Sequence, residues 1–153
     1  MPVDCHPDYV RLNGYALETF FRNIAQVPAK SMTVVIDACF SGASEKGMLI
    51  AQASPIVGVV IMKALGENLN LFSSCGPEEI ASWYSENRHS LFTYFFLKGL
   101  RGEADKNKDN NITLGELNEY LTDKVTYGAQ RQYGRIQKPT FKGNESKVIM
   151  RLK

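Results

Sequence analysis

Residues 32–37, Met-Thr-Val-Val-Ile-Asp, constrain this chain more than any other stretch. The run is β-branched and flanked by polar residues, which predicts a buried strand. It passes directly into Ala38-Cys39-Phe40-Ser41-Gly42, whose small residues suit a tight turn. A buried strand needs neighbours and covering helices, and the rest of the chain supplies candidates for both. Residues 56–62 form a second β-branched run, and 69–74 a third, stopped by Gly76-Pro77. Leu17, Phe20, Phe21 and Ile24 fall at i, i+3, i+4 and i+7, one face of a helix that Pro28 closes. Ser90 is placed to cap an apolar helix over 91–100, ended by Gly102. Thr113 and Glu116 fit a capping box opening a further helix, with Leu114, Leu117, Tyr120, Leu121 and Val125 on one side. Residues 1–13, 103–112 and 127–147 read as loops, 43–55 as a loop or weak helix, and 148–150 as a final edge strand. Helices interspersed with buried strands predict an α/β fold with a largely parallel sheet, in one domain.

Composition excludes several classes. Hydrophobic residues make up 44% and charged residues 22%, the ordinary globular mix, so a disordered chain is excluded. A net charge of +2 gives no electrostatic case for a nucleic-acid or membrane-surface partner, and neither is expected. The longest apolar run, 56–62, is far too short to span a bilayer. No basic-then-apolar leader opens the sequence. Three cysteines, Cys5, Cys39 and Cys75, are too few and odd for a disulfide framework. Reduced thiols in a cytoplasmic setting are the expectation.

The turn at Cys39 is the first candidate for chemistry. In parallel sheets, ligands gather beyond the carboxyl ends of the strands, and Cys39 and 73–75 both lie at such ends. A thiol there is where a nucleophile belongs, with a backbone N–H free to face a developing oxyanion. Alternation places Asp37 on the same side as Cys39. Its carboxylate would select a basic substrate group. It would not activate the thiol, because negative charge raises a thiol pKa. The plain alternatives are a buried structural cysteine and an aspartate bonding loop amides at a strand end.

The second candidate is the acidic loop 105–116. Asp105, Asn107 and Asp109 occupy positions 1, 3 and 5 of an EF-hand template. Asn111 offers the backbone carbonyl of position 7, Ile112 the apolar position 8, and Glu116 the bidentate position 12. Such oxygen ligands suit Ca²⁺. Position 6 is Asn110 in place of glycine, and Asn tolerates the left-handed conformation better than other side chains. Lys98, Lys106 and Lys108 nearby predict modest affinity. The competing reading is a polar loop before a capped helix, in which Glu116 serves the cap alone.

Val-Val-Ile-Asp-Ala-Cys-Phe-Ser-Gly at 34–42 resembles the nucleophile strand of caspase-like and metacaspase-like cysteine peptidases, particularly bacterial members. The resemblance continues through Pro2-Val3-Asp4, Ser73-Ser74-Cys75, Trp83-Tyr84, Leu91-Phe92-Thr93-Tyr94, Gly102-Glu103-Ala104-Asp105, Gly115-Glu116-Leu117 and Gln137-Lys138-Pro139-Thr140. It implies a caspase-like three-layer α/β fold with a mostly parallel sheet, a single partial domain over 1–153 with its nucleophile strand at 32–39. It implies that Cys39 attacks a peptide carbonyl and that its N–H is an oxyanion donor. Asp37 matches the acidic residue of the first specificity pocket in metacaspases, implying cleavage of a peptide or protein substrate after Arg or Lys. Gly42 would keep the following loop free to approach substrate. Calcium activation of many metacaspases points to the same ion as the acidic loop.

The family's general base is a histidine in a His-Gly pair, and the caspase histidine lies about 50 residues before the cysteine. Counted from Cys39, that position falls ahead of Met1. The two histidines of the chain, His6 and His89, match no such pair. His6 reads as a solvated loop residue and His89 as a helix-entry residue. The chain thus resembles the C-terminal part of the domain, lacking its first strands. Three functions stay open: the nucleophile-bearing part of a basic-specific endopeptidase, a non-catalytic calcium-binding or scaffold module, and a subunit whose histidine and missing strands come from an upstream segment or partner chain. The chain alone is expected to show no turnover.

Overall fold

The computed structural model of the chain describes residues 14–38, 43–44, 47–48, 68–76 and 79–153. Helix α1, Leu17–Ala25, begins where the periodic apolar face begins, and it buries Phe21. Strand β1, Met32–Ile36, pairs in parallel with β4, Leu69–Ser73, in register from Met32 opposite Leu69 to Ile36 opposite Ser73. Between them in sequence comes a separate short antiparallel pair, β2 (Ala43–Ser44) with β3 (Gly47–Met48). The strand expected at 56–62 lies outside the described residues. So do Cys39 and Gly42.

The main sheet has the order β1-β4-β8, where β8 is Thr140–Lys142 and runs antiparallel to β4. Among the described residues the sheet is therefore mixed, not mostly parallel. An antiparallel edge strand on a parallel pair is a common arrangement.

Strand alternation distributes the core to both faces of β4. Leu69 and Leu71 pack with Phe21, Leu17 and Ile24 of α1, beside Met32, Val34 and Ile36 of β1. Phe72 points the other way, into a cluster with Leu91 and Phe92 of helix α2 (Leu91–Lys98) and Leu117, Leu121 and Val125 of helix α3 (Leu114–Tyr133). On β1 the residues between the packed ones, Thr33 and Val35, are exposed, Val35 at 42%.

Helix α2 is shorter than the expected 91–100. It gives way to a π-helical turn, Gly99–Glu103, broken at Gly102, whose φ of 120° a side chain resists. Helix α3 is longer than expected. The segment 127–147 does not start as a loop, because Gly128 and Ala129 continue the buried face after Val125. A Cβ at Gly128 would meet Leu91 at 3.3 Å, so the missing side chain lets α2 and α3 approach. The helix ends at a left-handed Gly134 C-cap. Among the described residues the last strand, β9 (Val148–Arg151), joins no part of the main sheet. It pairs with β7, Asn111–Thr113, at the end of the acidic loop, so that loop is tied down at its exit. Among the described residues no helix is long and apolar enough to cross a membrane.

Candidate active site

Asp37 follows the last residue of β1, and the β4 side of the sheet fixes the backbone around it. Ser74 donates its N–H to the Ile36 carbonyl at 3.0 Å, extending the parallel ladder past β4. The Ser74 hydroxyl reaches the Ala38 carbonyl at 3.4 Å, and the Cys75 thiol lies 3.8 Å from the same oxygen. Cys75 is 2% exposed, so it packs beneath the strand end and does not face solvent. The residue adjoining Cys39 is thus held from below.

Among the described residues the exposed Asp37 carboxylate accepts from no loop amide. It accepts two hydroxyls from the start of α2. Ser90 and Thr93 both donate to Asp37 Oδ2, Thr93 at 2.5 Å. Ser90 is also the N-cap of α2, and its oxygen accepts the Thr93 N–H at 3.1 Å. A carboxylate at this end of the helix also meets the positive end of its dipole.

These residues line a pocket of about 370 Å³. Asp37 and Ala38 form one side, and Ala81, Ser82 and Trp83 the other, with His89, Ser90 and Thr93 between. The far wall belongs to a small hairpin, β5 (Trp83–Tyr84) paired with β6 (His89–Ser90) through a 3₁₀ turn at Ser85–Asn87. Trp83, the single tryptophan, is 51% exposed, whereas Tyr84 packs edge-on against Tyr94. Hydrogen bonds from the C-terminal third fasten this wall. The Ser82 N–H donates to Gln137 Oε1 at 2.8 Å, and Gln137 Nε2 donates to the Ser74 carbonyl at 3.0 Å. The Tyr133 hydroxyl donates to the Trp83 carbonyl at 2.6 Å. Gln137 itself is fully buried. The Gln137 side chain therefore ties the Ser82 wall of the pocket to the residue that follows β4.

Of the residues expected at this site, Asp37 lines the pocket, and Cys39 and Gly42 lie outside the described residues. Sequence reasoning missed Ser90 and Thr93 as partners of Asp37, since one cap residue and one apolar-helix residue carry no catalytic pattern. It also missed His89 in the pocket and the clamp made by Gln137.

The acidic loop folds inward on its own amides. Asp105 accepts from the N–H groups of Asp109 at 3.2 Å and Asn110 at 3.0 Å. Asn107 Oδ1 accepts from the Asp109 N–H at 2.9 Å, and Asp109 Oδ1 from the Asn111 N–H at 2.7 Å. Asn110 takes the left-handed conformation expected at position 6, with φ 64°, and Lys108 does so too, with φ 61°. The Asn111 amide holds Asp109 below the usual carboxylate range. Glu116 completes the capping box: Oε2 accepts the Thr113 N–H at 2.9 Å, and its own N–H donates to the Thr113 hydroxyl at 3.1 Å. Burial pushes its pKa up, but the Thr113 amide and hydroxyl and the Asn107 amide outweigh that, and the net direction is down. Lys98 and Lys106 turn away from the loop, to Glu103 and Glu119. Among the described residues no three His, Cys, Asp or Glu side chains gather at metal-holding distance. A cation here would draw on the Asn oxygens and a main-chain carbonyl besides Asp105, Asp109 and Glu116, and the donor set is the oxygen-only kind a hard cation takes.

A family model for the caspase domain matches residues 2–148. The chain therefore belongs to the caspase-domain family of cysteine peptidases. No curated protein and no solved structure matches it.

Proposed function

We propose that this chain is the nucleophile-bearing part of a caspase-like endopeptidase that cleaves peptide or protein substrates after Arg or Lys. The observation that carries this reading is the Asp37 carboxylate, held at the rim of a pocket two residues before Cys39. A guanidinium or ammonium entering the pocket meets that carboxylate, which sets the same residue's own carbonyl near the strand end. Cys39, as thiolate, would attack that carbonyl, and its backbone N–H would receive the oxyanion. Gly42 would let the following loop close on the substrate. The helices packed against opposite faces of β4 support a three-layer caspase-like arrangement.

The base that takes the thiol proton comes from outside this sequence, from an upstream segment or a partner chain that also adds strands beside β1. Two facts support this: neither histidine stands in a His-Gly pair, and among the described residues β1 is an edge of the main sheet. Proton transfer typically contributes about 10²–10⁴-fold. With a panel of fluorogenic peptides the 153-residue chain alone should show no turnover. Cleavage that disappears in Cys39→Ala would overturn this part of the reading.

The acidic loop would hold Ca²⁺ through Asp105, Asn107, Asp109, Asn111 and Glu116 and regulate the domain. The same missing pair favours a second reading, a catalytically inactive caspase-like module that keeps the calcium loop as a binding or scaffold element.

A further inference from the structure

The two hydroxyls on Asp37 bear on which basic side chain the pocket takes. The Ser90 oxygen already accepts the Thr93 N–H, so its proton is directed to Asp37. Thr93 adds a second hydroxyl to the same atom, Oδ2. A carboxylate oxygen carries two lone pairs, and both on Oδ2 are taken. Among the described residues Oδ1 accepts no hydrogen bond. A cation in the pocket therefore meets one carboxylate oxygen. The advantage of Arg over Lys at a carboxylate is the fork of two parallel N–H donors that uses both oxygens. Among the described residues the second tine has no acceptor on Asp37.

We propose that Ser90 and Thr93 are specificity-determining positioning residues. By filling Oδ2 they confine Asp37 to single-oxygen recognition through Oδ1, so the pocket accepts Arg and Lys side chains nearly equally. The inference rests on the reading of Asp37 as the receptor for a basic side chain.

The test uses the full chain and Trp83, which lines the pocket and is the single tryptophan. Its emission is followed while N-acetyl-arginine amide, N-acetyl-lysine amide or the neutral N-acetyl-norleucine amide is added. The two cations should bind within about threefold of each other, since neither gains a second charge-assisted bond. Thr93→Val keeps the side-chain shape and leaves the Ser90 cap in place. It opens Oδ2, and the preference for the arginine amide should rise by about tenfold. Thr93→Ser restores the hydroxyl and should restore the near-equal ratio. A role confined to capping the helix would lower stability in Thr93→Val without moving that ratio.

A wild-type preference for arginine above about tenfold, or an unmoved ratio in folded Thr93→Val, overturns the inference while leaving Asp37 as receptor. Failure of both cations to bind better than the norleucine amide, or equal binding by Asp37→Asn, overturns the Asp37 reading and the inference with it.

Discussion

Removing the amide of Gln137 should disconnect the Ser82 wall of the pocket from the end of β4. Gln137 is fully buried, and both ends of its amide are used. The partners are distant in sequence, Ser82 by 55 residues and Ser74 by 63, and both are themselves buried. Gln137→Met keeps the length and volume and leaves the Ser82 N–H and the Ser74 carbonyl unpaired. At about 1–3 kcal/mol for each orphaned buried group, the loss is about 2–6 kcal/mol. That is a large share of the roughly 5–15 kcal/mol that holds a domain of this size. Gln137→Glu makes a sharper case. Its carboxylate still accepts from Ser82 but faces the Ser74 carbonyl with no proton to give. Protonation restores the donor, so this variant's carboxyl has a raised pKa. Its stability is present at low pH and lost as pH rises through that value. Urea unfolding followed by Trp83 emission, at pH 7 and pH 5, measures both variants. A cost under about 0.5 kcal/mol for Gln137→Met, the range of ordinary surface changes, would refute the clamp. So would a Gln137→Glu deficit that is the same at both pH values.

Two further outcomes are expected. Glu116 ionises more readily in the fold than at its ordinary value of 4.5, so its contribution to stability is complete above that pH and disappears as pH falls through the depressed value. Glu116→Gln should flatten the acid limb of thermal stability below about pH 4.5, and an unchanged limb would show that the cap carries no pH dependence. Calorimetric titration with Ca²⁺ should show one saturable site that Asp105→Ala and Asp109→Ala both weaken, and a flat titration of the wild type removes calcium from the account.

The elements with strong local grammar were legible from the residues. The β-branched run at β1, the i/i+4 face of α1 and the Thr113-Glu116 box at the start of α3 each appear where pattern placed them. The end of α3 was not, because Gln and Arg in its last turns mimic a loop while Gly128 and Ala129 keep packing. Partnerships were less legible than elements. Nothing local says that β9 joins β7, that Ser90 and Thr93 face Asp37, or that Gln137 reaches Ser74 and Ser82. Those contacts are made by the closing of the chain over long separations, and single positions do not advertise them. Trp83 and His89 reach the pocket in the same way, through a hairpin of two-residue strands too short for a periodic signal.

The central claim is a basic-specific pocket beside a cysteine nucleophile. Its most direct test is covalent labelling of the chain, joined to the upstream segment or partner chain that supplies the base, with peptidyl acyloxymethyl ketones bearing Arg or Asp at P1, with the adduct located by peptide mass spectrometry. The account predicts one adduct, on Cys39, formed by the Arg probe in preference to the Asp probe and lost in Asp37→Asn. Adducts spread over Cys5, Cys39 and Cys75, or equal labelling by the Asp probe, would contradict it.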